Sequence, residues 1–259
     1  MQPRTAARVA TFVTAIALTI GGSASAQTVV ESSSEIRFQL DLVVPQSALD
    51  PFLPPGFAMN VATQGNAKDC NLRVIFIDRL TINGPDGNPV GKGSNRHVYM
   101  AMPVRDAGGN NAQLMIGGLT ADPADAPGPF GNYIHATTAT VNRTINGEGP
   151  NVTETQDWMF QAATGEHLEL HVTFERGVAI RRPAATTTFY SAKDPAVRQL
   201  SEQEQVLEVL RNVTTTPPDK VKAYSFKGSG GSYAKIFNGT ERTVSWDNIV
   251  WLMRTVSRP

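Results

Sequence analysis

Short segments in which apolar and polar residues alternate are the feature of this sequence that most limits its fold. The clearest is residues 35–43, which places two sets on opposite faces: Ile36, Phe38, Leu40 and Leu42 against Glu35, Arg37, Gln39 and Asp41. A period of two residues is typical of a β-strand with one face on a core and one face in water. We therefore predict a half-buried strand here.

The same reasoning predicts strands along most of the chain. Residues 72–77 are almost continuously apolar and indicate a more fully buried strand. Further strands are predicted at residues 97–104, 113–119, 133–144, 152–160, 167–179, 186–190, 222–226, 233–237 and 243–251, the last of which could instead hold a short helix. Turn-forming residues predict loops at 83–89 and 121–131.

Helical signals are few. Ser201 and Glu204 have capping-box spacing, and the apolar residues that follow predict one helix over residues 201–210. A single amphipathic turn is predicted at residues 47–53, ended by two prolines and Gly56. The chain is therefore predicted to be a β-rich α+β domain with one or two short helices. A closed barrel or folded-over sheet suits it better than an open sheet.

The N-terminus has the three-part pattern of a secretory signal peptide. Arg4 and Arg8 precede a short apolar run, and small residues follow up to Ala26. The apolar run is shorter than the roughly 20 residues of a membrane span, which disfavours the alternative of an uncleaved anchor. We predict a signal peptide at residues 1–26 and a single domain at residues 27–259. The protein would then be exported, periplasmic or secreted, without a membrane span after cleavage.

Charge and cysteine content exclude several classes of protein. The chain has 23 basic and 23 acidic residues, with no basic cluster, so it lacks the charge pattern of a nucleic-acid-binding protein. Cys70 is the only cysteine, so no disulfide can form within the chain, and its apolar neighbours favour burial. Nothing in the sequence predicts a cofactor.

The most suggestive local motif is His167-Leu168-Glu169-Leu170-His171. On a strand its two histidines would lie roughly 13 Å apart, too far for one metal ion to bind both. We therefore predict no metal site and favour a solvated polar face. The chain also lacks the G-x-S-x-G pattern of a serine hydrolase.

A few side chains are candidates for acid–base chemistry or ligand binding. His97 and His135 lie on predicted strands beside Tyr99 and Tyr133, and each histidine is more often structural than catalytic. Arg181-Arg182 could hold a carboxylate, although a surface pair is the more common role.

One longer stretch resembles a known family. Residues 38–60, FQLDLVVPQSALDPFLPPGFAMN, resemble the N-terminal segment of the acetoacetate decarboxylase-like superfamily. The resemblance continues through His97-Val98-Tyr99-Met100, Gly117-Gly118-Leu119 and residues 237–241. It implies a closed β-barrel or cone around a small pocket. It also implies decarboxylation through a Schiff base between a lysine and the substrate carbonyl.

The reactive lysine of that family is missing here. Residues 117–126 correspond to the loop that carries it and contain none, and the chain has no lysine between Lys92 and Lys193. Arg143 and Arg176 cannot form an imine because a guanidinium stays protonated. Lys92 lies in a Gly-rich loop and is expected to be solvated. The basic residue that the family places just before its first strand is not matched either; Glu35 lies nearby, and Arg37 is the closest candidate.

Three functions remain open from the sequence. The first is an exported decarboxylase-like barrel that binds a small, mostly apolar or carbonyl-containing molecule without Schiff-base chemistry. Arg37 and Tyr133 are then the candidate ligand-binding residues. The second is an enzyme, a lyase or hydrolase, that uses His97, Tyr99, His135 and Glu169 as acid–base groups. The third is a non-enzymatic interaction domain of the envelope.

Overall fold

The structure is a computed structural model that describes residues 27–124, 130–149, 151–214 and 219–258. The predicted signal peptide at residues 1–26 lies outside these residues, as do residues 125–129 of the predicted loop at 121–131. None of the helices in the described ranges has the length and apolar content needed to cross a bilayer.

The described chain consists mainly of β-strands, as predicted, with two short helices. The strands are β1 (Thr28–Val43), β2 (Ala58–Met59), β3 (Leu72–Asn83), β4 (Asn95–Arg105), β5 (Asn111–Thr120), β6 (Tyr133–Asn146), β7 (Thr153–Ala162), β8 (His167–Glu175), β9 (Ile180–Ser191), β10 (Arg198–Asn212), β11 (Val221–Ser229) and β12 (Arg242–Arg258). The helices are α1 (Gln46–Leu49) and α2 (Tyr233–Ile236).

Seven strands pair in a ring. Their order is β1-β3-β4-β5-β9-β10-β12, and β12 pairs again with β1. Every pairing in this seven-strand ring is antiparallel except β5–β9, which is parallel. The end of β5 also pairs with β6, which leads into a four-stranded sheet of β6, β7, β8 and β11, here called the outer sheet.

The main hydrophobic core lies between the ring and the outer sheet. Phe76 of β3 packs on Trp158 of β7 with ring centroids 5.9 Å apart, and Phe38 of β1 packs on Phe174 of β8 at 6.3 Å. All four side chains are almost fully buried. Aromatic pairs of this kind add about 0.5–1.5 kcal/mol beyond their area burial, so they hold one wall of the ring firmly against the outer sheet.

The ring interior has a second, smaller apolar cluster. Ile75, Ile77, Tyr99 and Met115 belong to it. Because successive side chains on a strand point to opposite faces, β3 sends Phe76 to the main core and its neighbours to the interior. The predicted burial of this strand is confirmed.

The predicted turn after β1 is confirmed. Helix α1 and a 3₁₀ turn over Asp50–Phe52 follow β1, and the prolines then stop the helical conformation. Gly56 has a φ of +82°, which a residue with a side chain adopts only at a cost. The next residue, Phe57, packs edge-on against Tyr190 of β9 at 5.1 Å, so the turn docks on the ring.

The helix predicted over residues 201–210 is wrong. This segment is strand β10, which pairs with β9 on one side and β12 on the other. Gln203, Gln205 and Leu207 of this strand line a cavity inside the ring. The two-residue period was hidden because this inward face is mostly polar, and strand pairing outweighs the helix propensity of Glu, Gln and Leu.

The strand predicted over residues 233–237 is also wrong. Gly230 and Gly231, with φ of +79° and +50°, turn the chain into α2. A Cβ on Gly230 would lie 1.9 Å from the carbonyl oxygen of Gly165, so only glycine fits this close approach. The helical turn then buries both Tyr233 and Ile236. The last segment, by contrast, is strand β12 and not a short helix.

Candidate functional site

Strand β1 presents charged side chains to the ring interior. Phe38 and Leu40 pack in the main core, while Glu35, Arg37 and Asp41 are on the opposite face and are 0%, 2% and 2% exposed. The alternation was therefore correctly predicted, but the polar face does not lie in water. It is buried inside the ring.

A cluster of two glutamates and three arginines occupies part of this interior. Its members, here called the arginine–glutamate cluster, are Glu31, Glu35, Arg37, Arg79 and Arg254. Arg37 donates from Nε to Glu35 at 2.7 Å, and Arg254 Nε lies 3.1 Å from the same carboxylate. Arg254 also donates to Glu31 at 2.6 Å, and Arg79 bonds to Glu31 as well. The cluster joins three neighbouring strands of the ring: β1, β3 and β12.

Glu35 is the centre of this cluster. Burial alone would raise the pKa of its carboxyl, but the charges of Arg37, Arg254 and Arg79 and the hydroxyl of Ser33 outweigh burial. The pKa consequently lies well below its ordinary value, and Glu35 is ionised throughout the physiological range. A buried carboxylate is tolerated here because it is paired and hydrogen-bonded.

Three aromatic residues lie beside the cluster. His97 is fully buried and stacks on Tyr99 with ring centroids 6.2 Å apart. Burial, followed by the charge of Arg79, lowers the pKa of His97 well below its usual value, so the imidazole is neutral. Tyr133 packs edge-on to His97 at 6.2 Å. A Cβ on Gly118 would lie 2.6 Å from the Tyr133 ring, so glycine is required at that position.

A cavity of about 250 Å³ adjoins these groups. Arg37, Arg73, Tyr99, Gln203 and Asp247 are among its lining residues. A smaller space of about 20 Å³ shares three of these side chains, Arg37, Tyr99 and Gln203, with the main cavity and is also bordered by Tyr133 and Arg254. Most of the side chains that line the larger cavity are polar. The lining is thus more polar than the mostly apolar ligand predicted from the sequence would require.

Some predicted site residues fall inside the ring and others do not. Arg37, Tyr99 and Tyr133 border the two spaces, whereas His97 is fully buried and borders neither of them. His135 and Glu169 are exposed and lie outside these spaces. Neither His135 nor Glu169 belongs to the set of side chains that lies inside the ring.

The His167–His171 motif is the polar face that was predicted. His167 contacts Glu169 at 3.1 Å, and His171 contacts Asp157 at 2.6 Å with 41% of its side chain exposed. Within the described ranges, no three histidine, cysteine or acidic side chains are grouped so that they could hold a metal ion. Cys70 is buried, as predicted.

None of the seven lysines of the chain lines either space. Lys92 is 78% exposed and lies 3.0 Å from Asp122, which confirms the predicted solvation. Arg181 is also at the surface, where it bonds to Glu204. Within the described ranges, no lysine amine therefore borders either space.

The sequence reasoning missed Glu35, Arg73, Arg79, Asp247 and Arg254 as parts of a site. One signal was available in β3, where Arg73 and Arg79 flank an apolar run that was predicted to be buried. A charged residue on a strand buried on both faces needs a partner, and that partner has to come from neighbouring strands.

Comparison with known proteins supports the fold. No protein-family model and no curated protein sequence matches the chain. Among solved structures, the chain is similar to the enduracididine biosynthesis enzyme MppR complexed with the condensation product of pyruvate and imidazole 4-carboxaldehyde. That match has a TM-score of 0.54 and 13% identity and covers 88% of each chain.

The chain is also similar to an acetoacetate decarboxylase-like enzyme from Sphingomonas wittichii RW1. The TM-score is 0.53 at 12% identity, over 88% of this chain and 90% of the other. At such identities the likeness establishes the fold and leaves the chemistry open. The acetoacetate decarboxylase-like fold predicted from the sequence is confirmed.

Replacing Glu35 tests the role of the arginine–glutamate cluster. Glu35→Gln leaves three arginines with less negative charge, so we expect the free energy of unfolding to fall by about 3–5 kcal/mol, measured by urea denaturation at pH 7. The pKa of Glu35 is lowered in the folded state. The carboxylate therefore contributes to the free energy of unfolding above about pH 4.5, the ordinary glutamate pKa, and this contribution is lost as the pH falls further. The variant should lack this acid-dependent loss.

Glu169→Gln is the matched control, because Glu169 is exposed and its change should alter stability by less than about 0.5 kcal/mol. A Glu35→Gln variant within 1 kcal/mol or so of the wild type would contradict the structural role given to this carboxylate.

Proposed function

We propose that this protein binds a small carboxylic acid inside the seven-strand ring and does so without forming a Schiff base. The observation that carries the proposal is the set of cations around the two spaces: Arg37, Arg73 and Arg254 border them, and no lysine does. We further infer that the ring of strand pairings is the closed barrel predicted from the sequence.

Arginine favours a carboxylate as the bound group. The guanidinium presents its N–H donors in a planar fork that matches the two oxygens of a carboxylate. Arg37 contacts Glu35 through Nε and one terminal nitrogen. Its other terminal nitrogen, Nη1, lies 3.4 Å from Gln203, which is long for a hydrogen bond. That long contact is weak, so Nη1 retains capacity to donate to a ligand.

The size of the cavity limits the ligand. Pockets that bind drug-sized ligands measure about 300–1,000 Å³, and the main cavity is about 250 Å³, so it suits a smaller molecule. Phe189 and Ile249 supply apolar surface for its carbon chain. A small keto acid fits both features, and a structure of the same fold contains a product built from pyruvate, which is a keto acid.

The enzyme alternative has less support than the binding function. Of the four acid–base candidates predicted from the sequence, only Tyr99 lines the cavity. Burial raises the pKa of Tyr99, which keeps its hydroxyl protonated near neutral pH. Tyr99 is therefore suited to donate a hydrogen bond to a bound oxygen.

Isothermal titration calorimetry with a panel of small compounds tests the proposal. We expect pyruvate, acetoacetate and 3-hydroxybutyrate to bind and acetone, which lacks the carboxylate, to bind at least about 10-fold more weakly. Arg37→Gln and Arg73→Gln should each weaken binding of the acids by about 10-fold or more, since a charged hydrogen bond contributes about 1.5–3 kcal/mol.

Arg96→Gln is the matched control. Arg96 pairs with Asp78 on the outside of the ring, with 45% of its side chain exposed, and its replacement should leave binding unchanged. Testing variants at both Arg37 and Arg73 guards against a folding defect in one of them. Equal binding of acetone and pyruvate, or no binding of any acid, would overturn the proposal.

We also propose that the protein is exported, on the strength of the N-terminal pattern in residues 1–26. Expression in a host with a Sec pathway should yield a mature protein that begins at Gln27, as read by N-terminal sequencing. A protein recovered with residues 1–26 intact would contradict export with cleavage.

A further inference from the structure

The main cavity has a second charged group, distinct from the arginine–glutamate cluster. Gln39 and Asp41 of β1 lie beside Asp247 and Ser245 of β12, in the register Gln39–Asp247 and Asp41–Ser245. The two aspartates, here called the aspartate pair, are thus diagonal neighbours on one face of an antiparallel ladder, where such neighbours lie roughly 7–8 Å apart. Asp247 borders the cavity directly, and Asp41 lies behind it with 2% exposure.

Each aspartate is held by its own strand. Gln39 donates from Nε2 to Asp41 at 3.0 Å, and the Ser245 hydroxyl donates to Asp247 at 2.8 Å. Arg73 of β3 lies 3.4 Å from Asp41 and is the cation nearest to the pair. Two carboxylates so placed repel each other unless one of them carries a proton.

The pKa values agree with this geometry. Burial and the Asp41 carboxylate raise the pKa of Asp247 to about 7, although Ser245, Arg73 and the exposed Arg182 of β9 act in the opposite direction. Burial also raises the pKa of Asp41, against the charge of Arg73. Below about pH 7 the pair therefore holds one proton in common, and above about pH 7 it loses this proton.

The other titratable groups around the cavity whose pKa values are shifted keep a constant charge between pH 7 and about 9. Burial raises the pKa of Cys70 to about 12, and burial also raises the pKa values of Tyr99 and Tyr133, the latter strongly. The pKa values of His97 and Glu35 both lie well below their usual values. Among these groups, only the aspartate pair changes its charge in this range.

The proton on the aspartate pair changes the net charge of the ring interior. Arg37, Arg73, Arg79 and Arg254 face four carboxylates inside the ring: Glu31, Glu35, Asp41 and Asp247. With one proton on the aspartate pair, these groups sum to +1, and a bound monocarboxylate brings the interior to neutrality. Without that proton the sum is zero, and the same ligand would add an unbalanced negative charge at low dielectric, which is costly.

We propose that the cavity binds a small monocarboxylate together with one proton, and that the Asp41–Asp247 pair is the site that holds this proton. This inference rests on the proposed function and adds to it a proton site and a pH dependence. Asp247 and Asp41 act indirectly, because the proton that they hold sets the net charge of the cavity. The arginines remain the groups that contact the carboxylate.

Calorimetry with pyruvate across pH tests the inference. Pyruvate stays ionised from pH 5 to 9 because carboxyl pKa values lie near or below about 4. We expect the wild-type affinity to be constant below about pH 7 and to fall by roughly tenfold for each pH unit above it, because the proton must then be taken up on binding. At pH 8, titrations in buffers of different ionisation heat should show uptake of about one proton per pyruvate.

Asp247→Asn separates this role from a purely structural one. The variant carries a neutral group that does not titrate, so it should bind pyruvate at pH 6 about as well as the wild type. At pH 9 it should bind at least about tenfold more tightly than the wild type, without proton uptake. A structural defect would weaken binding at both pH values. Asp41→Asn is the second variant and should lose the pH dependence in the same way.

Asp78→Asn is the matched control, because Asp78 pairs with Arg96 on the outside of the ring and should keep the wild-type pH profile. Pyruvate binding that is independent of pH and takes up no proton would overturn the proton site and leave the proposed function standing. Failure of pyruvate and the other acids to bind at any pH would instead overturn the proposed function itself.

Discussion

The burial of Glu35 among three arginines is the interaction on which the rest of the ring interior depends. The carboxylate has no solvent exposure, and its partners come from β1, β3 and β12. An isolated charge in this position would be strongly destabilising. Loss of any one arginine partner is therefore expected to destabilise the folded protein. The cluster thus explains why three adjacent strands present charged side chains inward.

This arrangement is possible because the main hydrophobic core lies elsewhere. Phe38, Phe76 and Trp158 pack between the ring and the outer sheet, which supplies the apolar burial that the fold requires. The ring interior is consequently free to hold polar groups around a cavity. The hydrophobic core and the polar cavity are placed on opposite faces of the same strands, β1 and β3.

The sequence predicted the fold well and the site only in part. Alternation located β1 and most other strands, and the stretch from Phe38 to Asn60 pointed to the confirmed fold. Strand β10 was mistaken for a helix because its inward residues, such as Gln203 and Gln205, are polar. A prediction from periodicity assumes that the polar face of a strand is exposed to solvent, and in β10 that assumption fails.

The same assumption hid the candidate site. Glu35 and Asp41 fell on the polar face of a strand predicted to be half exposed, so neither was considered as a buried group. The partners Arg79, Asp247 and Arg254 are far away in sequence and meet Glu35 or Asp41 only through strand register. Long-range register is not encoded in any short stretch of sequence, so no local pattern could have grouped them.

We propose that this protein binds a small carboxylic acid through arginines and not through an imine. Reductive trapping tests it most directly: the protein is incubated with acetoacetate or pyruvate and borohydride, and its intact mass is measured under conditions where calorimetry shows binding. We predict an unchanged mass, because none of the lysines borders the cavity. A mass increase of one reduced ligand, mapped by peptide sequencing to a single lysine such as Lys92, would contradict the account.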